Sequence, residues 1–335
     1  MSRDVILYNL KGEGKTTMRK NLKLLIFAFL AAFTLIGCTN DGENSATKNE
    51  NNSGEKIKAV TSFTLLEDMV KEIGGDLVEV HNLVPTGTDP HEYDPLPDDI
   101  KAATDADILF YNGLNLEGGD HGWFAKLMDS VNQDWEVAFE VSEGVEPMYV
   151  TTDDGKEEEI NPHSFLDPVV GIQMAENTRD AFIKIDPDNK DLYEKNADQY
   201  LAVLKEIDEE YTEKINDIPE ENRILITSER AYQYMANRYG LKEGYVWAVD
   251  TEENGSPEQI RTLIEFINET NPPVLFIETN VDPRPLETVS KETGVEIFDE
   301  IFSDEIGNPG EEGDTYVKFL KHNIEVIYEG LSQEN

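Results

Sequence analysis

Apolar and polar residues first fall into a structural rhythm at Ile57. There "IKAVTSFTLLEDMVKEIGG" predicts a short strand followed by an amphipathic helix that glycines close. "LVEVHNLV" then alternates like a strand, and "LPDDIKAATDADILFYNGLNLEGG" continues with a helix, an apolar strand and a glycine-rich loop. The same rhythm restarts downstream, where "RILITSE" (223–229) and "PVLFIET" (273–279) predict short buried strands and "GVEIFDEIFSD" (294–304) a third. "SPEQIRTLIEFINET" predicts a helix with Ser256 as its N-cap, Pro257 at the first helical position and Gln259 completing a capping box. Strands alternating with helices at this spacing predict a mostly parallel sheet with helices on its faces.

One predicted helix stands apart by length. Over 190–215 the apolar positions Tyr193, Ala197, Tyr200, Leu204, Ile207, Tyr211 and Ile215 recur every three or four residues, with Pro187 just before and Pro219 just after. That is about seven turns at 3.6 residues per turn, and the charged opposite face suits a helix lying along a protein surface. The expected fold class is therefore α/β, with two lobes of mostly parallel sheet joined by one long helix. The lobes are placed at 56–189 and 219–335, and the linking helix at 190–218. Two-domain enzymes share this outline, so it assigns no function.

Upstream of the rhythm the chain has a different character. From Met18 it reads "MRKNLKLLIFAFLAAFTLIGC": a basic stretch, thirteen largely apolar residues (24–36), then Gly37 and Cys38. Charge, core length and the small residue before the cut predict a secretory signal over 1–37, with Met18 as the expected working start. The apolar run is shorter than the ~20 residues a bilayer span requires. Cys38 is the only cysteine, so no disulfide can form within the chain. Leu35-Ile36-Gly37-Cys38 resembles a bacterial lipobox, which makes Cys38 the expected lipidation site, and two acyl chains suit stable anchoring where one is marginal. "TNDGENSATKNENNSGE" (39–55) has no apolar residue beyond one alanine, so 38–55 is expected to be a flexible tether. "GEGKTT" near the start is not a phosphate loop, because Asn9 stands where the pattern needs glycine and no strand precedes it.

The charge balance excludes some partners. Lys and Arg number 28 against 70 Asp and Glu, a formal net charge of −42, and the predicted leader is itself net basic. Such a surface repels nucleic acid and anionic headgroups and attracts cations diffusely. Screening limits exposed charge to roughly 8 Å at physiological salt, so the surface alone makes no specific metal site.

Candidate chemistry centres on "TGTDPHEYDP" (86–95), a turn-rich stretch that holds His91, one of only five histidines. Three further polar residues sit where an apolar strand or loop ends: His163 in "NPHSFLDP", Glu229 closing "LITSE" and Asp304 closing "EIFSD". Ligand sites of open α/β sheets gather outside the carboxyl ends of strands. Taken singly, each residue also fits a solvated loop or a helix cap.

Together with "TSERAYQYMANRYGL", "YVWAVDTEENGSPEQI" and "IFSDEIGNPGEEGDTYVKFLKHNIEVI", these segments resemble, in order over 57–332, the metal-binding lipoproteins of bacterial ABC importers for manganese and zinc, also described as adhesin-type solute-binding lipoproteins. The resemblance implies one metal between the two lobes, with His91 and His163 supplied by the first and Glu229 and Asp304 by the second. It implies a receptor, not an enzyme. The expected receptor is a monomer held by lipid on the extracytoplasmic face of the cell membrane. It would bind Mn²⁺, or alternatively Zn²⁺, and pass the ion to a permease driven by a cytoplasmic ATPase. In that family glutamate at the third ligand position accompanies manganese and histidine accompanies zinc, so Glu229 favours manganese. The acidic histidine-rich loop of many zinc members is missing, since 141–160 holds no histidine. Phe165 stands where the family often has tryptophan. His81, His121 and His322 fall outside the matched positions and are expected in surface or packing roles.

Two neutral imidazoles and two carboxylates carry a charge of −2, which a divalent ion neutralises, and their oxygens suit Mn²⁺ better than thiolates would. A metallohydrolase uses the same residue types, but His91-Glu92 is followed by Tyr93, Asp94 and Pro95 with no second histidine. Four protein ligands also leave little room for the open position a catalytic metal needs. A surface adhesin would not account for four convergent ligands.

Overall fold

The computed structural model describes residues 55–151, 158–248 and 255–333. The expected signal peptide, Cys38 and nearly all of the expected tether lie outside the described residues. From Gly54 onward the chain forms one compact unit.

The first half opens with β1 (Ile57–Phe63), α1 (Thr64–Gly74), β2 (Val78–Val84), α2 (Pro97–Asp105), β3 (Ile108–Tyr111), α3 (Trp123–Val131) and β4 (Ala138–Glu140). The four strands form a sheet in the order β2-β1-β3-β4, parallel throughout, with Ala59 paired to both Val80 and Ile108. From Ala59 to Phe63 every residue of β1 is buried, as expected of a central strand with helices on both faces. The chain passes from β1 to β2 on one side and from β3 to β4 on the other, so the loops after β1 and β3 diverge at a topological switch point. An antiparallel hairpin, β5 (Tyr149–Thr151) and β6 (Glu158–Ile160), follows and was not foreseen in the sequence.

Two helices lead to the second half: α4 (Pro168–Ile185) and α5 (Lys190–Asp217). At 28 residues, α5 is about 42 Å long. All seven periodic apolar positions are buried in it, joined by Leu201. It ends two residues before Pro219, which cannot continue a helix. The second half then comprises β7 (Ile224–Glu229), α6 (Gln233–Tyr239), β8 (Lys242–Trp247), α7 (Pro257–Thr270), β9 (Leu275–Glu278), α8 (Arg284–Thr293), β10 (Ile297–Ile301) and α9 (Tyr316–Leu331). Its strands form two parallel pairs, β7–β8 and β9–β10, with β7 running beside β9. The third predicted strand is only five residues long, with a register irregularity between Ile297 and Glu300, and Phe302, Ser303 and Asp304 lie beyond its end.

One apolar core runs from the four-stranded sheet through α1, α4, α5 and α9, so the long helix packs against both halves. A smaller cluster, including Ile226, Val246, Leu263 and Leu275, fills the space between the second sheet and α7 and α8. Where α4 meets α9, Gly171 has no Cβ to obstruct the Tyr316 hydroxyl, which donates to the Phe165 carbonyl at 2.5 Å. Phe165 itself is buried, its ring centroid 5.2 Å from that of Phe63.

Candidate metal centre

His91 rides on the loop after β2. Its own N–H donates to Asp89 Oδ1 at 2.7 Å, and the Trp123 indole donates to the Pro90 carbonyl at 2.8 Å. Tyr93 packs edge-on against Trp123. "DPHEYDP" is therefore pinned to the start of α3, which explains how a turn-rich stretch presents a ring in a fixed place. His163 is fully buried at the head of a short 3₁₀ turn (Ser164–Leu166) leading to α4, which Asp167 caps through the Val169 N–H. Glu229 is the last residue of β7, and Asp304 follows β10. Both carboxylates are buried.

The four residues named from the sequence meet in one place. The ligand atoms of His91, His163 and Glu229 lie within 4.8 Å of one another. Asp304 Oδ1 is 3.2 Å from His163 Nε2, and its Oδ2 is 4.0 Å from His91 Nε2. Glu229 Oε1 is 3.8 Å from His163 Nε2, and the two imidazole rings are 5.2 Å apart. A surface cleft of about 560 Å³, lined also by Tyr93, Trp123 and Lys126, reaches His91 but none of the other three.

Burial and mutual charge set the protonation of this cluster. Burial would raise the Asp304 carboxyl, but the imidazoles of His163 and His91 and the Asn280 amide hold it down at about 2. Burial also depresses the His91 imidazole, against the pull of Asp304. Donor atoms already crowded together and shielded from water suit a compact cation, because only an opposite charge offsets the desolvation of two carboxylates.

The remaining histidines stand elsewhere. His81 pairs with Asp99 at 2.7 Å beside α2, His121 is exposed, and His322 contacts Glu312 at 3.3 Å and packs against Phe302. Glu278 and Asn280 support the two carboxylates. Glu278, at the end of β9, accepts the N–H groups of Ser228 and Glu229 at 3.1 and 2.9 Å, and burial raises its carboxyl to about 7. Asn280 donates to Asp304 Oδ2 at 3.1 Å while accepting from the Ser303 hydroxyl. The signal that pointed to Glu229, a polar residue closing an apolar strand, is also present in "VLFIETN".

Comparison with known proteins finds relatives along most of the chain. The family model described as "Zinc-uptake complex component A periplasmic" matches residues 59–330. The manganese ABC transporter substrate-binding lipoprotein PsaA of Streptococcus anginosus is 42% identical over 318 residues, covering 94% of this chain and all of the relative. The iron ABC transporter substrate-binding lipoprotein MtsA of Streptococcus pyogenes serotype M1 is 40% identical, with the same coverage. Among solved structures, the periplasmic zinc-binding protein TroA of Treponema pallidum superposes with a TM-score of 0.75 at 27% identity, covering 83% of this chain and all of that one. The names of these relatives span manganese, iron and zinc. The chain belongs to the zinc-uptake complex component A family, the two-lobed metal-binding receptors of ABC importers.

Proposed function

We propose that this receptor captures Mn²⁺ with His91, His163, Glu229 and Asp304 and delivers it to a membrane permease powered by a cytoplasmic ATPase. The first two ligands belong to the lobe at 56–189 and the last two to the lobe at 219–335, with 190–218 as the linking helix. A lipid on Cys38 holds the monomer to the extracytoplasmic face of the membrane. The observation that carries the reading is the convergence of two imidazoles and a carboxylate within 4.8 Å, with a second carboxylate 3.2 Å from His163. Manganese is favoured over zinc because two carboxylates offer up to four oxygens, enough for an ion that takes more than four ligands. Affinity alone runs the other way, since zinc binds most nitrogen and oxygen sites more tightly. Zinc is thus a tight competitor that donor type does not exclude.

The test is uptake of labelled manganese and zinc, in parallel, by cells that lack the protein and are complemented with variants. Manganese uptake should be lost without the protein and restored by the natural sequence. Asp304→Ala should weaken both ions, and Glu229→His should shift preference toward zinc. Normal manganese uptake with lost zinc uptake would overturn the assignment in favour of a zinc receptor, the reading that the family description favours.

A further inference from the structure

We infer that Asn161 is a positioning residue of the metal centre: it locks the neutral His163 ring in the tautomer protonated on Nδ1, so that the bare Nε2 faces the other ligands. This rests on the metal-receptor reading above.

The two ends of the Asn161 amide can be told apart by their partners. The side chain is fully buried, and it has one acceptor oxygen and one donor nitrogen. Nδ2 lies 2.8 Å from the Arg230 carbonyl, which can only accept, and 3.0 Å from Gln233 Oε1. Oδ1 lies 3.1 Å from the His163 backbone N–H, which can only donate. Both ends are therefore fixed by main-chain groups of known polarity. Rotating the amide by half a turn would set N–H against N–H and oxygen against oxygen at a side chain shut off from bulk solvent.

The same Oδ1 sits 2.8 Å from His163 Nδ1. An oxygen that can only accept requires the proton to be on Nδ1. A neutral imidazole carries one N–H, so Nε2 is left with its lone pair. Nε2 is the atom that stands 3.2 Å from Asp304 Oδ1 and 3.8 Å from Glu229 Oε1. Those two carboxylates pull the other way, because in the metal-free site each would gain from a proton on Nε2. Asn161 opposes that pull and keeps the metal-binding nitrogen ready.

The amide is also well anchored. Its Arg230 partner directly follows Glu229, and the Tyr234 hydroxyl donates to the Asn161 carbonyl at 2.8 Å while accepting the Met148 N–H at 2.9 Å. The residue that orients His163 is thereby bonded to the segment just past Glu229.

The experiment is long-range ¹H–¹⁵N correlation of imidazole-labelled, metal-free protein, read beside Mn²⁺ and Zn²⁺ titrations. In the natural protein His163 should show a protonated, pyrrole-like Nδ1 and a pyridine-like Nε2. In Asn161→Ala the proton should move to Nε2, and affinity for both ions should fall about 10- to 100-fold, the usual cost of losing such a partner. A protonated Nε2 with a bare Nδ1 in the natural protein would overturn the inference. So would an Asn161→Ala protein that is folded and binds metal like the natural one. If that variant does not fold, the spectrum of the natural protein decides alone. If the natural protein binds neither ion, the receptor reading falls while the tautomer result still stands, so the two failures are separable.

Discussion

Glu117 is buried at 3% exposure and accepts from the Ser62 hydroxyl at 2.7 Å and from the N–H groups of Asn112 and Gly113 at 2.7 and 3.1 Å. Burial outweighs those donors and raises its carboxyl to about 7. In the unfolded chain the same group titrates near ~4.3. Between these values the native state holds a proton that the unfolded state has released, so its contribution to stability is complete below the lower value and is lost as pH rises through about 7. The loss is on the order of 4 kcal/mol at about 1.4 kcal/mol per unit. Glu117→Gln should remove that share of the slope, and urea midpoints measured from pH 4.5 to 7.5 would show it. An unchanged slope would mean that Glu117 ionises freely in the fold. His91, His163, Glu229 and Asp304 were named because each closes an apolar run. Asn161 and Trp123 were not, because their work is done through space: one turns a ring two residues away, the other grips a carbonyl 33 residues back.

Among the elements, α5 was legible because seven apolar positions repeat between two prolines, and α7 because its first turn carries the capping box that forms, with Gln259 N–H donating to Ser256 Oγ at 3.3 Å and Ser256 N–H to Gln259 Oε1 at 2.7 Å. β8 was missed. Its first half, Lys242-Glu243-Gly244, has no apolar alternation, and it is a strand because β7 supplies a parallel partner over its whole length. Long-range pairing of that kind leaves little trace in local sequence. The α4–α9 contact is equally silent in the sequence and gives a decisive prediction. Alanine ordinarily stabilises a helix interior by about 1 kcal/mol relative to glycine. At Gly171 the sign should reverse, because a Cβ there would lie 2.5 Å from the Tyr316 hydroxyl oxygen and 2.9 Å from its ring. Gly171→Ala should cost about 1–3 kcal/mol, as overpacking usually does. Adding Tyr316→Phe should recover part of that cost by removing the obstructing oxygen, although Tyr316→Phe alone forfeits about 1 kcal/mol of hydrogen bond. Equilibrium urea unfolding of the three variants would settle the point, and a stabilised Gly171→Ala would refute the close approach.

For the molecule as a whole, a formal charge of −42 surrounds a site that is almost closed to water, and the two act on different steps of metal capture. If the four side chains of the site hold the ion as proposed, they fix how long it stays. They are shielded from solvent ions, so the dissociation rate should hardly depend on salt. The exposed carboxylates fix how often an ion arrives. Their summed field raises the local cation concentration, an effect that spans about ten- to a thousandfold in steered associations and collapses as ionic strength rises. The screening length falls from roughly 30 Å at 0.01 M salt to about 8 Å at 0.15 M, which is short against a domain of this size. Stopped-flow mixing of metal-free protein with Mn²⁺ should therefore show an association rate that drops about tenfold across that range. The salt must be a monovalent chloride, so that no competing divalent ion enters the site. A flat association rate would refute steering and place the slow step in the movement of the lobes. In that case the acidic surface would serve solubility alone, and replacing its carboxylates by amides far from His91 would leave manganese capture as fast as before.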